Sequence, residues 1–377
     1  MKKILFLGRV AGVYKTNRAD LDFIADELIN EGHELHIYDP KYNILKNLSN
    51  NHIRKVGFLK NIKKPRSIQR LISFMNLIFF CIKFKGAYDI VQINYVREEY
   101  LVIPRLVSKL GKEFKVFIYG DDLNLRNWIK NKFTKLYYVS DEIILTNKLI
   151  FEKNRNYFSK PDSLEKKMKY IYLPQVQLKN YEHFKYQDKI KAKDKMGLKG
   201  QKVVLCGISS HPNEQHDKII EGISNLNNQL NYHFLFPLST READNSEWIA
   251  QIKLMAEKNL DPKSYTYIEG YKTIEEVAQY RLASDIMINL RKRDQLNAAL
   301  IESNYSFCQI ICGSWLPYDD YWSEFRTEKI DDHLNLAEKI EFIFKDDELE
   351  QKLKYNREKA EDNYSYRVVD KWLKLYK

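Results

Sequence analysis

The sequence predicts an α/β protein built from two doubly wound, Rossmann-like domains. Three observations predict it. The chain opens as strand, helix, strand; a second strand–loop–helix unit starts near residue 202; and a polar, Lys- and Tyr-rich stretch over 155–200 separates the two. Alternation of strand and helix favours a parallel sheet, whose sites lie at the carboxyl ends of the strands. The 377 residues suffice for two cores, and 44% apolar content with 13% aromatics excludes a disordered chain.

In order, KKILFLG (2–8) is a continuous apolar run ending in glycine, as a central parallel strand should be. The loop GRVAGVYKTN leads into a helix with Leu21, Ile24, Ala25 and Leu28 on one face and Gly32 as its stop, and HELHIYD is the next strand. Gly8 and Gly12 would let the backbone approach a phosphate or sugar, or serve only as turn glycines. YDIVQINYV (88–96), FKVFIYGDDLN (114–124) and DEIILTN (141–147) read as further strands of the first domain. The second domain opens with KVVLCGISSHPNEQHDKIIEGI, placing Ser209, Ser210, Asn213 and His216 in a loop and first helical turn. Amides and hydroxyls there suit a diphosphate. YHFLFPLS and YTYIEGY follow as strands, then the helix TIEEVAQYRLASD. Residues 285–317 read as strand, charged loop, helix from about Gln295, and strand. Asp294 and Glu302, eight residues apart, would look toward one side of that helix and accept hydrogen bonds from vicinal hydroxyls. Two solvated helix carboxylates are the ordinary reading of such a pair. Arg291 and Arg293 are diphosphate candidates. The boundaries predicted are 1–180, 181–360 and a terminal helix over 361–377 anchored by Trp372 and Tyr376.

The four cysteines form no C-x-x-C pair and read as buried reduced thiols, leaving no metal site. The longest apolar run, Leu71–Ile82, is too short to span a bilayer, and no signal peptide opens the chain, so a cytoplasmic protein is expected. The net charge of +11 is uneven: residues 1–170 carry +14 and the remainder −3. Residues 40–88 hold eleven basic side chains and no acidic one, around the densest apolar run. Such a block marks an anionic partner. Without interleaved aromatic and basic residues or a nucleic-acid module, a membrane surface is expected rather than nucleic acid.

The segment D-Q-L-N-A-A-L-I-E-S-N-Y-S-F-C-Q-I-I-C resembles the donor-binding segment of GT-B glycosyltransferases, family 4 especially, where a carboxylate, seven residues and a Glu precede a small-residue helix and a strand. Phe307 and Gln309 depart from the usual Gly and Pro. G-x-S-x-x-x-N-x-x-H is similar to a segment of the 4-acetamidofucosyl transferases acting on lipid-linked saccharides, and YGDDL to a segment at the first-domain sheet edge of related enzymes. The resemblance implies the GT-B fold: two Rossmann-like domains facing a cleft, with a terminal helix crossing back to the first. It implies a metal-independent, cofactor-free hexosyltransferase using a nucleotide sugar, in surface polysaccharide synthesis at the inner face of the plasma membrane. By the same resemblance Asp294 holds the donor sugar and Glu302 the ribose. Gln295, Leu296 and Asn297 line the donor, Tyr271 flanks the base, and Asp121 or Asp122 stands on the acceptor side as catalytic candidate. A nucleotide-sugar 2-epimerase on the same fold, or a non-enzymatic protein binding an anionic ligand, is the alternative.

Overall fold

The computed structural model describes residues 1–8, 19–40, 44–50, 52–56, 66–94, 96, 98–118, 134–146, 151–152, 155–239, 246–294 and 296–377. The chain divides into two compact units: Met1–Val176 with Val368–Lys377, and Gln177–Arg367.

In the first unit β1 (Lys3–Leu7), β2 (Glu34–Asp39), β3 (Ile44–Asn47), β4 (His52–Lys55), β5 (Tyr88–Ile93), β6 (Gly111–Ile118), β7 (Glu142–Leu145) and β8 (Met168–Tyr170) form one sheet. Its order is β4-β3-β2-β1-β5-β6-β7-β8. β1 is parallel to both β2 and β5. Its unbroken apolar sequence follows from covering on both faces: Leu5 and Leu7 enter one core with Leu77, Phe80 and Val116. Ile4 and Phe6 enter the other with Leu21, Ile24 and Leu28 of the helix Ala19–Asn30. The order reverses at β1/β5, and Gly8 follows β1 at φ +106. Gly12 lies outside the described residues, as do Asp121 and Asp122.

β3 and β4 form an antiparallel hairpin within the basic block. The sequence did not announce it, because ILKN and HIRK are four-residue strands, HIRK at the sheet edge, held by backbone pairing rather than by apolar alternation. The helix Arg66–Lys83 carries the apolar run of the basic block. Its apolar residues occupy two distinct faces rather than one continuous packed surface. Ile72, Leu77, Phe80 and Cys81 are buried, whereas Ile68, Leu71, Met75, Phe79 and Ile82 recur at three- and four-residue steps on the exposed side, with Leu71 60% and Ile82 65% exposed.

The chain's end packs into the first unit. Trp372 is buried edge-on against Phe117 at 5.1 Å and donates from Nε1 to the Tyr172 carbonyl at 2.8 Å. The buried Tyr376 hydroxyl donates to Gln92 Oε1 at 2.7 Å.

The second unit holds β9 (Lys202–Cys206), β10 (Tyr232–Pro237), β11 (Tyr265–Ile268), β12 (Ile286–Asn289), β13 (Gln309–Gly313) and β14 (Glu328–Ile330). The sheet is parallel at every pairing, in the order β11-β10-β9-β12-β13-β14. That is the doubly wound order in which neighbouring strands β9 and β12 send their chains in opposite directions, opening a crevice at their carboxyl ends. The seams lie at 176/177 and 367/368, whereas the sequence reading put them after 180 and after 360. Gln177 and Tyr181 belong with the second unit because both hydrogen-bond to Glu302, and the helix Leu349–Tyr364 runs past residue 360.

Trp372→Ala is expected to cost about 3–5 kcal/mol, the usual loss for emptying a buried aromatic site. Tyr376→Phe should cost about 1–2 kcal/mol by leaving Gln92 Oε1 unpaired. Urea titration of each variant checks both values.

Candidate functional site

The crevice at β9/β12 is walled by two loops. After β9 the chain turns at Gly207, whose φ is +81 and where a Cβ would stand 2.8 Å from the His216 ring; both facts restrict the position to glycine. Asn213 ties this loop to the one after β12: its Nδ2 donates to the Arg293 carbonyl at 2.9 Å, and its carbonyl accepts from Lys292 N–H at 3.0 Å. Gln215, at φ 58, reaches the Leu290 carbonyl through Nε2. His216 is buried with Nε2 2.7 Å from the Ser209 carbonyl, and burial holds its pKa below the ordinary value, so the neutral ring donates there. Asn213 and His216 therefore shape the loops. Ser210 is buried and hydrogen-bonded to the Ser239 carbonyl, so among the candidate hydroxyls of this loop Ser209 is the one facing the crevice group.

That group is a cluster of one cation and two carboxylates. Arg291, just past β12, donates from Nη1 to Asp294 Oδ1 at 2.9 Å, and its Nε stands 3.2 Å from Glu214 Oε1. Glu214 also accepts from Ser209 Oγ at 3.2 Å and from Ile208 N–H at 3.3 Å. Burial pushes the Glu214 carboxyl up to about 7, against the opposing pull of Arg291. Asp294 accepts further from the Tyr318 hydroxyl at 2.5 Å and from Asn297 Nδ2. The Tyr318 hydroxyl accepts from Asn289 Nδ2 at 3.2 Å, and burial beside Asp294 raises its pKa far above the ordinary value. Trp315 Nε1 donates to the Arg291 carbonyl at 2.8 Å, fixing the loop from the β13 side.

The sequence named Ser209, Arg291, Asp294 and Asn297, and the fold brings them together. It missed Glu214, Tyr318 and Asn289. Glu214 sits inside the quoted N-x-x-H segment, which was the available signal; the other two carried none. Arg293 is exposed, its backbone held by Asn213; Leu296 is half-buried, and Tyr271 is exposed next to Gly270 at φ +73. Gln295 lies outside the described residues.

The two carboxylates of the eight-residue step do not share one helix. The helix spans Ala298–Tyr305, not from Gln295, because Asn297 caps it through Oδ1 accepting from Leu300 N–H. Asp294 thus precedes the helix, and helical spacing does not relate it to Glu302. Glu302 instead accepts from Gln177 Nε2 at 3.1 Å and from the Tyr181 hydroxyl at 3.0 Å, and it pairs directly with the buried Arg281. Among the described residues no group of three or more His, Cys, Asp or Glu side chains could hold a metal ion, and no helix is long and apolar enough to cross a membrane.

Against solved structures the chain is similar over its whole length to a glycosyltransferase from Rickettsia africae (15% identity, TM-score 0.73, 97% of that chain covered). It is similar to sucrose-phosphate synthase from Thermosynechococcus elongatus (14%, 0.72, 98% covered). It is similar also to Anabaena HepE in complex with UDP and glucose (11%, 0.67, 99% covered). The fold is GT-B. No family model matches the sequence. No curated protein matches it either.

Glu302→Gln is expected to lose about 3–5 kcal/mol of stability by leaving the buried Arg281 without a counter-charge. Adding Arg281→Met should recover most of that loss. A double-mutant cycle in urea measures the coupling; small additive losses would mean that the pair holds nothing.

Proposed function

We propose that the chain is a glycosyltransferase that takes a hexosyl group from a nucleotide sugar and places it on a saccharide acceptor. The observation that carries this reading is the anion-binding set at β9/β12: the Ile208 amide, the Ser209 hydroxyl and Arg291, with Asp294 beside them. A topological switch point of a doubly wound sheet is where such folds bind nucleotides. Arg291 would hold the diphosphate and stabilise the charge that develops on it as the anomeric bond breaks, without a metal ion. Asp294, oriented by Tyr318 and Asn297, would accept from the sugar hydroxyls. HepE, bound to UDP and glucose, has a similar fold and lends support to a nucleotide-sugar donor. Glu302, with its partners already in place, would position the helix Ala298–Tyr305 beneath the donor rather than grip the ribose. Asp121 and Asp122 stay the acceptor-side candidates in the first unit.

The acceptor is proposed to be lipid-linked, in bacterial-type surface polysaccharide synthesis on the cytoplasmic face of the membrane. The exposed stripe Ile68, Leu71, Met75, Phe79 and Ile82, flanked by exposed Arg70, Lys83 and Lys85, matches the apolar and anionic layers of such a surface. Lys60, Lys63 and Lys64 lie outside the described residues but add to the same basic block.

Thermal shift against UDP, GDP, ADP and dTDP tests the donor reading: one of them should raise the melting temperature, and none raising it would overturn the assignment. Asp294→Asn should lower turnover about 10²-fold while nucleoside diphosphate affinity stays within a few-fold, because its contact strengthens as charge develops on the sugar. Equal losses of turnover and nucleotide affinity would place Asp294 on the nucleotide instead. Leu71→Gln with Ile82→Gln should release the protein from phosphatidylglycerol vesicles in sedimentation and leave nucleotide binding intact. Binding by wild type should fall steeply with salt, as each basic group contributes about 1 kcal/mol near an anionic surface. Equal sedimentation of both proteins would remove this face from the proposal.

A further inference from the structure

The set assigned above to a diphosphate is occupied by a carboxylate of the chain itself. Glu214 ends the short helical turn Pro212–Glu214 and is 1% exposed. Its Oε2 accepts from Ile208 N–H at 3.3 Å and its Oε1 from Ser209 Oγ at 3.2 Å, and Arg291 Nε stands 3.2 Å from Oε1. The fit is loose. Charge-assisted bonds to a carboxylate are ordinarily shorter, about 2.5–2.9 Å. Arg291 Nε is buried at its ion-pair distance without the alignment of a hydrogen bond.

Charge makes the same point. Glu214 faces Arg291 and Asp294 from the loop after β12, and His216 from the helix His216–Ser224 behind Gly207. His216 is neutral for the reasons given above, so Arg291 is the one described cation facing two carboxylates. A diphosphate entering this place meets like charge on the donors it needs, unless one carboxylate is neutralised. Glu214 is the group poised for that, since burial has already pushed its carboxyl up to about 7.

We propose that Glu214 is a resident anion holding the diphosphate subsite until a donor binds, and that donor binding takes up one proton onto this carboxylate. The proposal rests on the donor-site reading and adds its regulation. The sign follows from linkage. Below about pH 7 Glu214 is already protonated, so donor affinity is flat with pH. Above it, each binding event draws a proton from solvent, and affinity falls up to about tenfold per pH unit. Protonation also withdraws the charge that competes for Arg291. Acidification therefore primes the site and alkali closes it.

Calorimetry with UDP-, GDP-, ADP- and dTDP-glucose tests this, because the diphosphate of a nucleotide sugar has no second ionisation near neutrality. Titrations at about pH 6 and pH 8, in two buffers of different ionisation enthalpy, give both affinity and protons taken up. Wild type should take up close to one proton at the higher pH and bind about tenfold more weakly than at the lower. Glu214→Gln, which mimics the protonated acid, should take up none and bind with the same affinity at both. Binding by wild type that is flat with pH and takes up no proton would make Glu214 a fixed strut of the loop and overturn the proposal. So would a folded Glu214→Gln variant that binds nothing. Should that variant fail to fold, the wild-type proton count decides alone. Binding by none of the four sugars would overturn the donor-site reading and this inference with it, an outcome distinct from binding without proton uptake.

Discussion

Arg291 stands between two carboxylates, and most of the second unit's sequence near the β9/β12 crevice serves that arrangement. Gly207 lets the first loop pass close to His216, and the αL turn at Gln215 returns the chain. Asn213 and Gln215 tie the first loop to the second, and Trp315 holds the second loop from the β13 side. Isolated charges in such a place would be costly. Paired and hydrogen-bonded they persist. A site built this way responds to an incoming anion as a whole.

The sheet decides where this cluster sits. Strand order fixes a crevice at the carboxyl ends of β9 and β12, and the first residues beyond each strand inherit the task of meeting a ligand. The first unit repeats the order reversal at β1/β5, ending there in Gly8. The same strand-order reversal thus occurs twice in the chain, with the cationic set described at the second.

Much of the fold was legible because buried parallel strands must be continuously apolar. KILFL, KVVLC and IMIN announce themselves, as do the four buried positions of the helix Ala19–Asn30. The β3–β4 hairpin was not legible, since two four-residue strands carry no apolar period. Asp294 was named for its surroundings in the sequence, yet it lies outside the helix whose spacing was used to pair it with Glu302. A short N-capping residue, Asn297, starts the helix after it. Glu302 is held by Arg281, 21 positions back, and by Tyr181 and Gln177, 121 and 125 positions back. Contacts at such separations leave no local pattern. Glu214 was visible only as an acidic residue in a polar loop, because its burial is a property of the assembled loops.

The anion set at β9/β12 is proposed to receive the donor diphosphate. A crystal structure with the nucleoside diphosphate that gives the largest thermal shift tests it most directly. The terminal phosphate should lie within hydrogen-bond distance of Ile208 N–H, Ser209 Oγ and Arg291, with the Glu214 carboxylate displaced or bonded to a phosphate oxygen as a protonated acid. A diphosphate bound elsewhere, with Glu214 still paired to Arg291 as described, would contradict it.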